Sequence, residues 1–265
     1  MEKIISVLIP TFNLNNKFKE IVSIYSTQPK VKIIVSDDSP DIKTQEEIKK
    51  ICKEMKITYY KGPQSTPSKN WNFLLKKIDT PFFVLNHHDD CPNNLQFLEH
   101  LDKKNTGILL LPCTSYIFNK KYVRLSSRHQ KIQVILLRNL PNALINLFLA
   151  PTASVIINKE LVSNKFNENL KWYVDNEWYY RLLKECKTKK LKLSFFSKTR
   201  INSYQNSNSI TLRIKNNLDY IKISEKNLLK ENNLIPNKYI HLIQKIISLI
   251  FTLDSKLIRL TNFLK

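Results

Sequence analysis

The sequence predicts an α/β protein with a mixed, mostly parallel sheet flanked by helices, followed by a helical carboxyl-terminal extension. Short Val-, Ile- and Phe-rich runs alternate with segments of helical period over the first hundred residues, as in sheets covered by helices. Two acidic pairs, Asp37-Asp38 and Asp89-Asp90, closely follow two of these runs. Ligands of open α/β sheets bind at the carboxyl ends of strands, so the pairs mark the expected functional edge.

The alternation predicts these elements in order. Strands are expected at Ile4–Ile9, Val31–Ser36, Lys56–Tyr60, Phe82–Asn86 and Thr106–Leu111. Helices are expected at Asn15–Ser26, Lys43–Met55, Ser68–Lys77 and Asn93–Leu101. Apolar residues of the first helix fall on one stripe, which is the helical signature. Further along, Val155–Ile157 predicts another strand and Val174–Cys186 another helix.

Composition narrows the class of protein. A hydrophobic content of 42% with 25% charged residues is typical of a globular chain, and 265 residues suffice for one large or two small domains. Only two glycines occur, Gly62 and Gly107, which excludes a P-loop and a glycine-rich dinucleotide turn. Phosphate would therefore be bound through a metal and cationic side chains. Four cysteines without a C-x-x-C pair favour a reducing compartment, and we expect no signal peptide before Ile4–Ile9.

The net charge of +21 favours an anionic partner: nucleic acid, anionic lipid or a polyanionic substrate. Residues 103–159 contain no carboxylate, and a second basic block spans Arg181–Arg200. A lysine-rich solvated surface would look the same. A basic nucleic-acid-binding protein is the rival interpretation, but the chain lacks a zinc module, an RRM signature and a KH loop, so we expect no nucleic acid.

Four groups of segments then follow in order: Ile5–Asn13; Ile33–Ser39; Ser68–Phe73 with Phe83–Asp90; and Ala150–Ile157 with Tyr173–Arg181. Together they resemble family 2 glycosyltransferases of the GT-A fold, in the branch that builds bacterial surface polysaccharides. The resemblance covers about residues 3 to 212. It implies a domain at 1–212, with a nucleotide-sugar half (about 1–102) and an acceptor half (about 103–212), before a basic amphipathic extension at 213–265.

The resemblance implies inverting transfer from a nucleotide-sugar donor to a hydroxyl of a growing glycan, such as lipooligosaccharide, O-antigen or capsule. Mn²⁺ or Mg²⁺ would neutralise the diphosphate as it leaves. Asp90 stands at the family's metal-ligand position and Asp89 would contact the donor's ribose or sugar, while His88 replaces an acid found in many relatives. Alternatively, Asp89 and Asp90 cap a helix that begins near Pro92. A zinc site at His87 and His88 has only Cys91 as a nearby third ligand.

The family's late metal-binding His has no counterpart in residues 202–209, so Tyr204 or Gln205 would substitute, or the metal would be held more loosely. An inactive relative that serves as a scaffold is the corresponding alternative.

For the donor, the resemblance implies that Asp37 reads the base. A carboxylate accepts the imide N–H of uracil, which favours UDP, then dTDP, over guanine or adenine. An Asx-rich turn at Asp37–Asp41 is the alternative. The remaining expected donor-binding residues are Pro10, Thr11, Phe12, Asn13, Asp38, Lys69, Asn70, His88 and Asp89.

Asp175 falls at the family's general-base position. Glu177 is the runner-up, although it lies two residues on and so points elsewhere around a helix. The acceptor-side candidates are Thr152, Ser154, Trp172, Glu177 and Trp178. The tryptophans could stack on sugar rings or pack in the core.

Polar residues recur every three or four positions after His241, so residues 239–265 predict an amphipathic helix. It suits an anionic membrane surface, or packing on the catalytic domain or a partner chain. No run approaches the roughly 18–20 apolar residues of a membrane span. We therefore expect a cytoplasmic protein, peripheral at the inner face of the bacterial cytoplasmic membrane, where lipid-linked saccharide acceptors lie.

Overall fold

Two β-sheets organise the protein in the computed structural model, which describes residues 2–14, 16–117, 120–125, 127–139, 141, 151–162, 165–205 and 218–231. Its strands are β1 (Ile5–Thr11), β2 (Val31–Asp37), β3 (Thr58–Lys61), β4 (Phe82–Leu85), β5 (Asp90–Pro92), β6 (Thr106–Leu110), β7 (Cys113–Ile117), β8 (Lys120–Leu125), β9 (Val155–Asn158), β10 (Lys192–Phe195) and β11 (Ile201–Gln205). The larger sheet has the order β10-β6-β9-β4-β1-β2-β3, and only β9 runs antiparallel to its neighbours.

The described α-helices are α1 (Phe18–Ser26), α2 (Ile42–Glu54), α3 (Pro67–Leu75), α4 (Ser127–Asn139), α5 (Val174–Thr188) and α6 (Leu218–Glu231). Capping side chains define where two of these helices begin. The Asp41 side chain accepts a hydrogen bond from the Thr44 N–H at the start of α2 (2.9 Å). Thr66 caps α3, and Pro67 occupies its first turn, where proline loses no helical hydrogen bond.

The larger sheet separates two hydrophobic cores. Successive side chains of a strand point to opposite faces, and the central strands are apolar at nearly every position. Leu8 and Ile34 therefore belong to the core under α3 and α5, whereas Val7 and Ile33 belong to the core under α1 and α2. Burial on both faces explains why these strands appear in the sequence as continuous apolar runs.

The smaller sheet has the order β5-β11-β7-β8. β11 pairs antiparallel with β5, so that Asp90 lies opposite Ser203, and parallel with β7. This pairing places residues 201–205 next to the second acidic pair, although more than 100 residues separate them in sequence.

The structure confirms the predicted mixed, mostly parallel α/β fold and corrects two local expectations. The helix expected at Asn93–Leu101 is a short 3₁₀ helix at Gln96–His100. Asp90 begins strand β5, so the acidic pair does not cap a helix. The β7–β8 hairpin and α4 had not been predicted. The domain boundaries stay predictions, and the helix expected at 239–265 lies outside the described residues. Within those residues, no helix combines the length and apolarity that a bilayer crossing requires.

Gly107 marks a tight contact between β6 and the end of α5. A Cβ atom at this position would lie 2.5 Å from the Cys186 Sγ and 2.8 Å from the Leu191 Cβ. Both distances are shorter than any normal van der Waals contact. A glycine is therefore required here for packing.

We expect Gly107→Ala to lower the free energy of unfolding by about 1–3 kcal/mol, the usual cost of overpacking. Urea denaturation measures the change. Cys186→Ala removes one of the two colliding atoms, so the double variant should lose less stability than the two single variants summed. Strict additivity would contradict the predicted collision.

Candidate active site

The carboxyl ends of β1, β2 and β4 meet at one edge of the larger sheet. Thr11 is paired with Asp37 in the β1–β2 register, and the Asp38 N–H donates to the Thr11 carbonyl (2.9 Å). On the other side of β1, the Asn86 N–H donates to the Leu8 carbonyl (2.9 Å). These bonds bring both acidic pairs to the same edge, as the sequence predicts.

Asp37 is fully buried and its carboxylate is engaged by protein donors. Oδ1 accepts from the Thr11 hydroxyl (3.0 Å), the Ser39 N–H (2.9 Å) and the Ser39 hydroxyl (2.5 Å). Oδ2 accepts from the Tyr59 hydroxyl (3.2 Å). With 0% exposure, Asp37 joins β1, β2 and β3. This arrangement gives Asp37 a structural role, and its expected role in reading the base stays a prediction.

Asp38 occupies the more accessible position. Its Oδ1 accepts from the Gln64 N–H (2.8 Å). Burial raises the pKa of Asp38, although hydrogen bonds from Gln64 and Ser65 lower it, and the negative charge of Asp37 adds a smaller increase. Gly62 makes room for it, since a Cβ there would lie 2.2 Å from the Asp38 Oδ1. Of the two neighbours, Asp38 is the carboxylate suited to a ligand.

Ser36 at the end of β2 and Asn70 of α3 are hydrogen-bonded neighbours at this edge. The Asn70 Nδ2 donates to the Ser36 carbonyl (3.3 Å). The Asn70 Oδ1 and the Ser36 Oγ are buried and have no hydrogen-bond partner among the described residues. Since buried polar groups are normally paired, these atoms indicate a polar ligand. Asn70 was predicted, whereas Ser36 was not.

Other predicted donor-side residues surround the same edge. The Asn13 backbone is left-handed (φ 67°), and its N–H donates to the Ser39 hydroxyl (2.9 Å). Phe12 is 45% exposed. Lys69 is exposed on the first turn of α3. The Pro10 carbonyl accepts a hydrogen bond from His88.

A buried amide shapes the loop that carries the second acidic pair. The Asn86 Oδ1 accepts from the Tyr25 hydroxyl (2.8 Å), and its Nδ2 donates to the carbonyls of His87 and Asp90 (2.8 Å each). Asp90 is 2% exposed, whereas Asp89 is half-buried. Sequence reasoning missed Asn86 and Tyr25. The signal was present, because a polar residue directly ends an apolar strand and a tyrosine lies on the buried stripe of α1.

The two histidines of this loop are neutral at pH 7. Burial is the largest influence and lowers the pKa of both, although the negative charge of Asp89 acts in the opposite direction. His87 makes an edge contact with Trp71 (ring centroids 5.7 Å apart). In the described part of the chain, no three His, Cys, Asp or Glu side chains form a metal-binding group.

The donor set suits Mg²⁺ or Mn²⁺ better than zinc. Magnesium sites commonly use one or two carboxylates, with substrate phosphates and water as the other ligands. Asp89 and Asp90 can supply these carboxylates. In place of the late His, the Tyr204 N–H donates to the Asp89 carbonyl (2.9 Å), while its ring stacks on Tyr116 (4.9 Å).

Asp175 lies half-buried in the first turn of α5, where its Oδ1 accepts from the Asn176 N–H (3.0 Å). Tyr179, one turn further on, connects it with the acidic loop. Burial first, and then the negative charges of Asp175 and Asp90, raise the Tyr179 pKa well above its ordinary value. Both carboxylates therefore act electrostatically on the Tyr179 hydroxyl.

The other α5 candidates have structural roles. Glu177 binds Arg181 through both carboxylate oxygens (2.7 and 2.8 Å). Trp178 is 0% exposed and packs on Phe166, with ring centroids 4.0 Å apart. This packing matches the core alternative that the spacing of Trp178 allowed, and its acceptor-side role stays a prediction.

The remaining acceptor-side candidates keep polar or aromatic groups available. The hydroxyls of Thr152 and Ser154 are buried, and neither has a hydrogen-bond partner among the described residues. Trp172 is half-buried, and the Lys222 ammonium lies 5.1 Å from its ring centroid.

Comparison with known proteins now identifies the family. A sequence model of glycosyl transferase family 2 matches residues 6–164, more than half of the chain. The protein belongs to glycosyl transferase family 2. No curated protein matches this family 2 chain.

Solved structures share the fold of this family 2 chain at low identity. S. aureus TarS 1-349 in complex with UDP has a TM-score of 0.55 at 18% identity, covering 77% of this chain and 61% of that one. Mannosyltransferase PcManGT from Pyrobaculum calidifontis, in complex with GDP-Man and Mn²⁺, has a TM-score of 0.58 at 11% identity, covering 86% and 65%.

A third similar structure is glucosyl-3-phosphoglycerate synthase from Mycobacterium tuberculosis, in complex with Mn²⁺, UDP and glucosyl-3-phosphoglycerate. Its TM-score is 0.52 at 13% identity, covering 89% of this chain and 82% of that one. The chain spans only 37% to 65% of the TarS structures. These likenesses therefore concern the GT-A fold.

We expect Asp38→Asn to stabilise this family 2 protein at pH 7, because burial disfavours the charged form of Asp38. The pKa of Asp38 is raised above its ordinary 3.8, so its favourable contribution is present below pH 3.8 and is lost as pH rises through the folded-state pKa. The gain over wild type should therefore shrink towards acid pH in urea denaturation. Asp37→Ala is the control, and should destabilise because buried donors lose their acceptor.

Proposed function

We propose that this chain transfers a sugar from a UDP-linked donor to a hydroxyl of a growing bacterial surface glycan, with inversion at the anomeric carbon. One observation carries the proposal: Asp37-Asp38 and Asp89-Asp90 follow neighbouring strands at one edge of the larger sheet, and the charges of Asp90 and Asp175 both raise the pKa of the buried Tyr179. Family membership supports the reaction class.

Base recognition is assigned to Asp38 and its surroundings. A carboxylate accepts the imide N–H of uracil or thymine. The Asn70 Oδ1, buried and without a partner among the described residues, is a further acceptor at this edge. The resemblance ranks UDP ahead of dTDP. The TarS complex with UDP is consistent with this ranking, and the GDP-Man complex of PcManGT makes GDP the main competitor.

Asp90, with Asp89, is proposed to hold Mn²⁺ or Mg²⁺ together with the donor diphosphate. A bound divalent ion would neutralise the charge that builds up on the leaving group. The Mn²⁺ complexes of two similar structures support the presence of a metal. The Asn86 amide fixes the loop that carries both carboxylates.

Asp175 is the proposed general base. Its carboxylate takes the proton of the acceptor hydroxyl as that oxygen bonds to the anomeric carbon, and the bond from this carbon to the diphosphate breaks. A carboxylate within hydrogen-bond reach suffices for this step. Placement beside the Asp90 loop, in the first turn of a buried helix, supports the assignment over Glu177, which is paired with Arg181.

Thr152, Ser154 and Trp172 are proposed to contact the acceptor. Unpartnered hydroxyls suit hydrogen bonds with a saccharide, and a partly exposed indole suits a sugar face. A lipooligosaccharide, O-antigen or capsule intermediate, free or lipid-linked, is the proposed acceptor class. Lipid linkage would place the enzyme at the inner face of the cytoplasmic membrane.

Thermal unfolding tests the donor and the metal together. UDP with Mn²⁺ at a hundred times the dissociation constant should stabilise by about 2.7 kcal/mol, which corresponds to roughly 5–10 °C in Tm. EDTA or Asp90→Asn should remove most of this shift, and GDP or CMP should give less. A shift with RNA and none with any nucleotide would contradict the proposal and redirect attention to the basic segments.

Asp175→Asn should reduce kcat about 10²–10⁴-fold, the usual contribution of a general base, and should leave the UDP–Mn²⁺ thermal shift unchanged. Release of UDP from UDP-sugars with saccharide acceptors measures kcat. Glu177→Gln is the matched control on the same helix, expected to lower stability but keep kcat within a few-fold. Wild-type turnover in Asp175→Asn would overturn the assignment.

A further inference from the structure

A buried glutamate of α6 binds the segment that leads into α5. The Glu225 Oε1 accepts from the N–H groups of Lys171 (2.5 Å) and Trp172 (3.1 Å). Its Oε2 accepts from those of Trp172 (2.9 Å) and Tyr173 (2.8 Å). Glu225 is 5% exposed. Three consecutive backbone amides therefore converge on one carboxylate from a residue more than 50 positions away.

The same face of α6 makes two further contacts. Lys222, Glu225 and Leu229 are spaced by three and four residues, so they lie on one side of the helix. The Lys222 ammonium lies over the Trp172 ring, and Leu229 is 2% exposed in the core that includes Trp178. On the opposite side, Tyr220 is 78% exposed. The side of α6 that carries Lys222, Glu225 and Leu229 therefore packs against the start of α5 and the core beside it.

The carboxylate replaces a local helix cap. Tyr173 is the residue before α5, and no side chain of its own sequence caps this helix. Helix N-termini favour a nearby negative charge, and charged acceptors form stronger hydrogen bonds with N–H groups than neutral ones. Glu225 supplies both effects. Only one residue, Val174, separates the last bound amide from Asp175.

We propose that Glu225 is a positioning residue for the transfer reaction: by binding the 171–173 amides, α6 holds Asp175 in its reactive place. The proposal rests on the proposed role of Asp175 as general base. Misplacing a reacting group by about 1 Å can cost on the order of 10² in rate. The residues around Asp38 belong to other elements, so donor binding does not depend on Glu225.

Glu225→Gln tests the proposal, with exposed Lys226→Gln on the same helix as control. The amide variant keeps the size of the side chain but presents an NH₂ group to backbone donors. We expect faster amide hydrogen exchange confined to residues around 171–177. We also expect kcat to fall about tenfold or more, with the donor KM within twofold of wild type and the UDP–Mn²⁺ thermal shift retained. Lys226→Gln should change none of these.

Two further variants make the outcome decisive. In an Asp175→Asn background, Glu225→Gln should slow turnover no further, since the group that it positions is gone. If Glu225→Gln fails to fold, Glu225→Asp keeps the charge but withdraws it by one methylene, and it should show the same pattern in milder form.

Faster amide hydrogen exchange around residues 171–177 without a fall in kcat would overturn the role of Glu225 in the reaction. Unchanged amide exchange would overturn the proposal altogether. If wild-type protein turns over no nucleotide sugar, the proposed function itself fails, and the catalytic role of Glu225 falls with it. The exchange result then still decides whether Glu225 holds the segment.

Discussion

The buried carboxylate of Asp37 is the interaction on which the site edge depends. An ionised carboxylate without exposure to water is tolerated only when protein donors replace its hydration. Hydroxyls from β1 and β3 and both donor groups of Ser39 do so here. These hydrogen bonds hold the ends of β1, β2 and β3 together and fix the turn of the chain at Ser39. The next carboxylate, Asp38, then occupies the space that the absence of a Cβ at Gly62 leaves.

The elements around the larger sheet could be predicted because strong apolar periodicity decides them. In β1 to β4 and the helices between them, apolar residues recur at the spacing of a strand or a helix, so the sequence itself shows which faces are buried. The β7–β8 hairpin and α4 have no such pattern. They lie in a basic stretch where neither an alternating nor a helical apolar spacing dominates. The expected helix after Pro92 became a 3₁₀ turn because β5 takes residues 90–92 into the second sheet.

The site was predictable at the level of segments but not of individual side chains. Sequence placed Asp37 and Asp38 together, yet which neighbour faces inward depends on the strands that flank them. Helical spacing allowed Trp178 to be either a sugar platform or a core residue, and only the structure shows that it packs on Phe166. Asn86 and Glu225 act through contacts with distant backbone atoms, which no local pattern encodes.

The pairing of β5 with β11 has a consequence for how the protein is assembled. Contacts between residues far apart in sequence carry a larger loop-closure cost and form late in folding. The strands from β1 to β4 can associate through short crossovers as soon as they leave the ribosome. The acidic loop, by contrast, gains its strand partner only after residues 201–203 are synthesised. A nascent chain would therefore present a formed nucleotide-side edge well before the metal-side loop has its final neighbours.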